Sequence, residues 1–272
     1  MLFVCVVLLS FFECYIKMKP FVVIRKLANQ DNIQCQNVVK DFIMAGAWDA
    51  FVSCLFREIT LQLIVIVWAI MFIFFGIPLL MCCIAIPVVV GLILFTTYGS
   101  YFNKANELAI RGGTKLCWVA EIYEPHVLNG LIKGLEVEQF YDDIPDVDKS
   151  EASKMRRKII GTISCKSHMV LENSGWIYRL AVCPKYPFRE VAEHLINRVL
   201  ANAVDNQLFT VETVTSECDE DIREVYLKLG FTLRLAYHKQ IIGNTLKVMK
   251  SQLGIDPFEW NQSREQINVE LQ

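Results

Sequence analysis

Trp176-Ile177-Tyr178-Arg179-Leu180-Ala181-Val182 reads as a strand, and Cys183-Pro184-Lys185-Tyr186-Pro187 turns the chain straight into a helix over residues 189–205. That helix sets Val191, Leu195 and Val199 on one stripe with Ala192, Ile196 and Ala203 beside it, an apolar face that must pack on a sheet. Residues 209–215 supply a second strand. A further helix follows, with Asp219 or Asp221 to cap its start, Ile222, Val225 and Leu229 toward the core, and Gly230-Phe231 to close it. This β-α-β-α unit places the chain in the α/β class, and the rest is arranged around it.

The chemistry of the unit lies at its first strand-to-helix junction, where N–H groups without intrahelical acceptors favour a phosphate. Arg179-Leu180-Ala181-Val182-x-Pro184, leading into Val191-Ala192-x-x-Leu195 and then Val225-Tyr226-Leu227-Lys228-Leu229-Gly230-Phe231, resembles the GNAT acetyl-CoA-dependent N-acyltransferases. The resemblance implies a mixed sheet with helices on both faces and acetyl-CoA as co-substrate. It also implies roles. Leu180 and Val182 lend backbone to the pantetheine arm as a splayed strand, while Arg189, Val191 and Ala192 hold the pyrophosphate. Tyr226 protonates the departing thiolate, a task suited to a phenol of pKa about 10.

The junction departs from the family pattern. Arg/Gln-x-x-Gly-x-Gly/Ala maps onto Pro187-Phe188-Arg189-Glu190-Val191-Ala192, where Ala192 alone keeps its type. Pro187 removes a donor, and Glu190 brings an anion and a Cβ where glycine would admit a phosphate to the backbone. Arg189, planar and permanently charged, offsets both in part. The base that frees the amine has three carboxylate candidates on or beside strands, Glu121, Glu172 and Glu212, with His168 and His194 as further titratable groups.

The chain is longer than one such domain, and the excess is visible: Ile59 to Asn103 is 45 residues without Asp, Glu, Lys, Arg or His. Gly76-Ile77-Pro78 falls near its middle, so two 17-residue passes, 61–77 and 79–95, fit a helical hairpin that enters and leaves a membrane on one side. Flanking cations are balanced, Lys40 and Arg57 before against Lys104, Arg111 and Lys115 after, which gives no orientation bias. A single tilted span and a buried helix pair are the alternatives. A membrane region ahead of the cofactor motif resembles the Camello-like and N-acetylaspartate synthetase-like group of GNAT proteins, with coverage from Phe21 to about Lys250.

In chain order, residues 1–17 form a short apolar extension without the basic start of a signal peptide. Residues 18–58 hold the first strand (21–27) and a helix (30–45) with Asp31 as N-cap and Ile33, Val38, Val39, Phe42 and Ile43 as its stripe. The membrane hairpin occupies 59–103. The main domain, 104–250, has strands over 115–123 and 159–165, a solvated loop over 134–158 between them and a hairpin at 169–174. Residues 251–272 read as a tail.

The ten cysteines include no C-x-x-C and no histidine spaced to complete a zinc site, so they read as reduced thiols and no metal is expected. A net charge of −2, with cations clustered only at Lys154-Met155-Arg156-Arg157-Lys158, argues against a nucleic-acid partner. The reading is a membrane-anchored N-acetyltransferase, in the endoplasmic reticulum with its catalytic domain facing the cytosol. Its acceptor is a primary amine of an amino acid, a conjugate or a protein lysine. A non-catalytic GNAT-fold scaffold or coenzyme A sensor is the alternative that Glu190 favours.

Overall fold

The computed structural model describes residues 20–76, 78, 81–110, 116–124, 139–142, 155–217, 219–242 and 246–270. The chain divides into two compact units, one built from the chain up to Val39 and from Arg111 onward, the other from Lys40–Ile110. The strands are β1 (Phe21–Lys26), β2 (Leu116–Glu124), β3 (Gln139–Asp142), β4 (Arg156–Ser167), β5 (Ser174–Val182), β6 (Thr210–Ser216), β7 (Thr232–Ile242) and β8 (Leu246–Ile255). The helices are α1 (Asn32–Ala45), α2 (Ala47–Leu55), α3 (Glu58–Phe75), α4 (Ala85–Ile110), α5 (Phe188–Asp205), α6 (Glu220–Lys228) and α7 (Pro257–Glu270).

All eight strands belong to the first unit and form one mixed sheet in the order β3-β1-β2-β4-β5-β6-β8-β7. Two pairs are parallel, β1 with β3 and β5 with β6; the rest are antiparallel. Helices cover both faces. Val191, Leu195, Ile196, Val199 and Leu200 of α5 are buried against Trp118, Ile122 and Ile163 on one face, each contributing about 1.5–3 kcal/mol by leaving water. On the opposite face, Cys35 and Val38 of α1 bury with Val119 and Ile159. The mixed α/β sheet is the fold class that the β-α-β-α unit implied.

Several expectations are corrected in detail. Asp31 does not cap α1: it ends a short 3-10 turn, Asn29–Asp31, and its carboxylate accepts the Ala28 N–H at 3.0 Å and Arg25 Nη1 at 2.6 Å. Arg25 also reaches Glu121 at 2.8 Å, so one guanidinium ties the end of β1 to both β2 and the turn into α1. Ile33 points to solvent, and Cys35 takes its place on the buried stripe with Val38 and Val39. Within the span expected as loop, Gln139–Asp142 forms β3 and Arg156 onward belongs to β4; most of the remainder lies outside the described residues. The residues after Lys250 complete β8 and form α7, whose Trp260 packs on the core. The apolar residues 1–17 lie outside the described residues.

In the second unit, α3 and α4 carry the uncharged block. The uncharged stretches of these helices expose Leu61, Val65, Ile66, Ile73, Phe74 and Phe75 of α3 and Val88, Leu92 and Phe95 of α4, an apolar surface that water does not stabilise. Among the described residues one helix, Ala85–Ile110, is long and apolar enough to cross a membrane, with 11% of its most apolar stretch buried. It runs on through Lys104 and Glu107 to Ile110, beyond the second expected pass. The side chain of Thr60, at the start of α3, donates to Cys54 O at 2.7 Å, and Thr96 and Ser100 hydroxyls donate to carbonyls one turn earlier on α4, so these polar groups are satisfied within the helices.

Candidate active site

The parallel pair β5–β6 is joined over Ser174–Ile177 and Thr210–Thr213 only. Beyond that point β5 continues to Val182 beside β4, and β6 continues to Ser216 beside β8. The two strands therefore part, and each turns backbone toward the gap. Leu180 and Val182 lie on the parting half of β5, with Val182 in the core beneath α5 and Leu180 packed against it. Arg179, between Trp176 and Leu180, is buried on the other face, its Nη2 3.8 Å from Cys117 Sγ.

At the far end of β5 a turn, Tyr186 N–H to Cys183 O at 3.1 Å, delivers the chain to Pro187, the N-cap of α5. Tyr186 pins this turn by donating to Glu124 Oε1 at 2.7 Å, and burial holds its phenol above its ordinary value. No side chain caps α5, so the N–H groups of Arg189 and Glu190 in its first turn are left without an intrahelical acceptor. Val191 N–H donates to Pro187 O at 3.5 Å, and the Val191 and Ala192 side chains are wholly buried, so whatever they offer a ligand is backbone. Arg189 reaches away from the junction to α6, 2.6 Å from Glu224 and 3.2 Å from Asp221, and is 64% exposed.

Tyr226 lies at the point where the strands part. Its hydroxyl lies beside Thr213, the last paired residue of β6, whose own hydroxyl donates to Ile177 O at 3.2 Å, and its side chain is 1% exposed. Burial pushes its phenol well above the ordinary value, with Thr213 opposing in part, so the hydroxyl keeps its proton at neutral pH. The local sequence sets this position. Phe231 N–H donates to Tyr226 O and Gly230 N–H to Leu227 O, both at 3.0 Å, a Schellman closure that requires the left-handed residue supplied by Gly230, φ +93°. The closure brings the Phe231 ring edge-on to Tyr226 at 4.9 Å. Phe231 was visible in the Tyr-x-x-x-Gly-Phe spacing; Thr213 carried no signal in the sequence.

Of the carboxylates read as bases, Glu121 is engaged by Arg25 and Tyr123, Glu172 sits exposed in the β4–β5 turn, and Glu212 is buried on β6. His194 stacks on Phe140 of β3 at 3.9 Å. Among the described residues no three of His, Cys, Asp and Glu gather as a metal site would need.

No family model matches the chain, and no curated protein matches it. Solved structures do. An N-acetyltransferase from Staphylococcus aureus Mu50 is 12% identical over 37% of this chain and 62% of its own, with a TM-score of 0.34. A GNAT-family acetyltransferase from Bacillus anthracis is 15% identical over 37% of this chain and 60% of its own, with a TM-score of 0.33. An IAA acetyltransferase from Bacillus cereus ATCC 14579 is 13% identical over 57% of this chain and 83% of its own, with a TM-score of 0.35. The chain thus spans about three fifths of the length of the first two.

Proposed function

We propose that the chain is a membrane-anchored N-acetyltransferase that moves an acetyl group from acetyl-CoA to a primary amine of an amino acid, a conjugate or a protein lysine. The observation that carries the reading is the parting of β5 and β6 with a buried, protonated Tyr226 at its apex and an uncapped helix N-terminus at its open end. The gap suits the extended pantetheine arm, which would take backbone bonds from β5 around Leu180 and Val182. The pyrophosphate would sit at the first turn of α5, before Val191 and Ala192. Glu190 opposes an anion there. Arg189 would have to leave Asp221 and Glu224 to help, a small cost because exposed ion pairs are worth about 0–1 kcal/mol.

In the reaction the Tyr226 hydroxyl would give its proton to the sulfur as the C–S bond breaks. The exposed apolar residues of α3 and α4 support anchoring in a bilayer; a hairpin there would keep both its ends on the cytosolic side, and the endoplasmic reticulum is the membrane we propose. The test is thermal stability with and without acetyl-CoA: at about 100 times its dissociation constant a bound co-substrate adds about 2.7 kcal/mol. An unchanged melting curve across a wide titration sinks the reading. Tyr226→Phe should then lower kcat with affinity for acetyl-CoA kept, because the proton matters only as the thiolate leaves.

A further inference from the structure

The chain's cluster of cations, Lys154-Met155-Arg156-Arg157-Lys158, ends on the first residues of β4. In the sheet Arg156 lies opposite Glu124, Arg157 opposite Tyr123 and Lys158 opposite Ile122. Residues directly opposite one another share a face, and Ile122 is buried beneath α5, so Arg156 and Lys158 stand on the α5 face and Arg157 on the other. Lys158 is half-buried there, its ammonium 5.6 Å from the centre of the Tyr186 ring, within reach of a cation–π contact. Tyr186 belongs to the turn that leads into α5, and β4 holds that turn as well: Cys183 N–H donates to Ile160 O at 2.6 Å. The bond from the phenol to Glu124 and packing on the core fix the ring, so it is a platform that keeps the ammonium beside the junction. Among the described residues the ring is the partner of Lys158, and no carboxylate there matches its charge.

The α5 junction is short of that charge. Pro187 stands where the family pattern has Arg or Gln, Glu190 adds an anion to the first turn, and Arg189 is engaged by Glu224 and Asp221. The helix offers a dianionic pyrophosphate its backbone N–H groups, but no cationic side chain of its own that is already turned toward it. We infer that Lys158 supplies the cation that holds the pyrophosphate of acetyl-CoA at this junction, with Tyr186 as the positioning residue that presents it; this rests on the acetyl-transfer reading above. Charge lost from the loop is thus returned from the neighbouring strand. A lysine suits the task because its ammonium is a compact point charge on a flexible stem, able to swing from the ring to a phosphate oxygen. The ring contact it gives up is weak at a half-exposed site, and the bond it gains, between two charged groups, is among the stronger hydrogen bonds. It also answers Glu190, whose repulsion of the phosphates a nearby cation offsets.

The experiment is calorimetric titration of the full chain with three thioesters: acetyl-CoA, acetyl-dephospho-CoA, which lacks the ribose phosphate, and acetyl-pantetheine, which lacks every phosphate. Lys158→Gln should weaken acetyl-CoA and acetyl-dephospho-CoA alike, by about 10-fold, and leave acetyl-pantetheine unchanged. It should also make acetyl-CoA affinity less sensitive to salt. Lys158→Arg, which keeps the charge, should retain most of the affinity. In a Tyr186→Leu background Lys158→Gln should cost less than it does alone, because the platform is already gone. Should Lys158→Gln not fold, Lys158→Met, which keeps the apolar stem on the ring, takes its place with the same losses expected. Equal losses for acetyl-CoA and acetyl-pantetheine mean that Lys158 acts by shaping the turn, and a loss for acetyl-CoA that dephospho-CoA does not share moves the contact to the ribose phosphate; either overturns this assignment. Wild-type affinity of the Lys158 variants for all three ligands overturns it too and leaves the transferase reading intact, whereas wild-type protein that binds no acetyl-CoA overturns both.

Discussion

Gly230→Ala isolates the turn that orients Tyr226. Gly230 has φ +93°, further into the left-handed half than the usual value near +57°. A Cβ there would meet nothing closer than Ile255 Cδ1 at 3.6 Å, an ordinary contact, so the cost is backbone strain and not collision. That strain is about 1–2 kcal/mol for an L-residue. The end of α5 provides the control, because the same closure recurs there with the wrong residue. Leu208 N–H donates to Ala203 O at 2.9 Å and Gln207 N–H to Val204 O at 3.0 Å, with Gln207 itself at φ +53°. Gln207→Gly should therefore gain up to about 1 kcal/mol while Gly230→Ala loses about 1–2 kcal/mol. Urea denaturation measures both as shifts in midpoint at constant slope. If Gly230→Ala moves stability by less than about 0.3 kcal/mol, or Gln207→Gly destabilises, the closure does not carry the strain assigned to it.

Three further outcomes are expected. Glu190→Gly should tighten acetyl-CoA binding by removing an anion and a Cβ from the first turn of α5, and Arg189→Ala should weaken it; calorimetry showing both variants silent argues against a pyrophosphate at this junction. Asp31→Asn should cost about 1–3 kcal/mol at pH 7 by removing a charged partner of Arg25 and the Ala28 N–H. The Arg25 hydrogen bond holds the Asp31 carboxyl below its ordinary value against the effect of burial, so its contribution is complete above the unfolded value near 4 and fades as pH falls through the folded one; the difference between variant and wild type should narrow as pH falls below 4, and a difference that grows in acid contradicts the account. Tags at both ends of the chain should be digested equally by protease added to intact microsomes, whereas protection of the C-terminal tag alone replaces the hairpin with a single span.

What the sequence determined by itself was local. Periodicity marked α5 because Val191, Leu195 and Val199 recur at helical spacing, and β5 because it is bounded by turn residues. Gly230-Phe231 announced the end of α6, since few residues other than glycine accept the backbone angle there. The charge-free block from Ile59 to Asn103 declared itself by composition. Parts of the candidate site were legible for the same reason: Tyr226 is placed by its own helix end, and Leu180 and Val182 by their own strand. Pairing in the sheet was not, because partners distant in the chain leave no local mark. β3 hydrogen-bonds to β1 across more than a hundred residues, and β7 pairs with β8 at the other edge of the sheet without a turn motif that marks it. Only the tertiary structure decided that β5 and β6 part after Ile177 and Thr213, that Thr213 meets the Tyr226 hydroxyl, that Arg189 turns to Glu224, that Glu212 and His168 share a face, and that Lys158 lies over the Tyr186 ring. Each depends on where separate strands lie beside one another, and that is settled by packing the whole core at once.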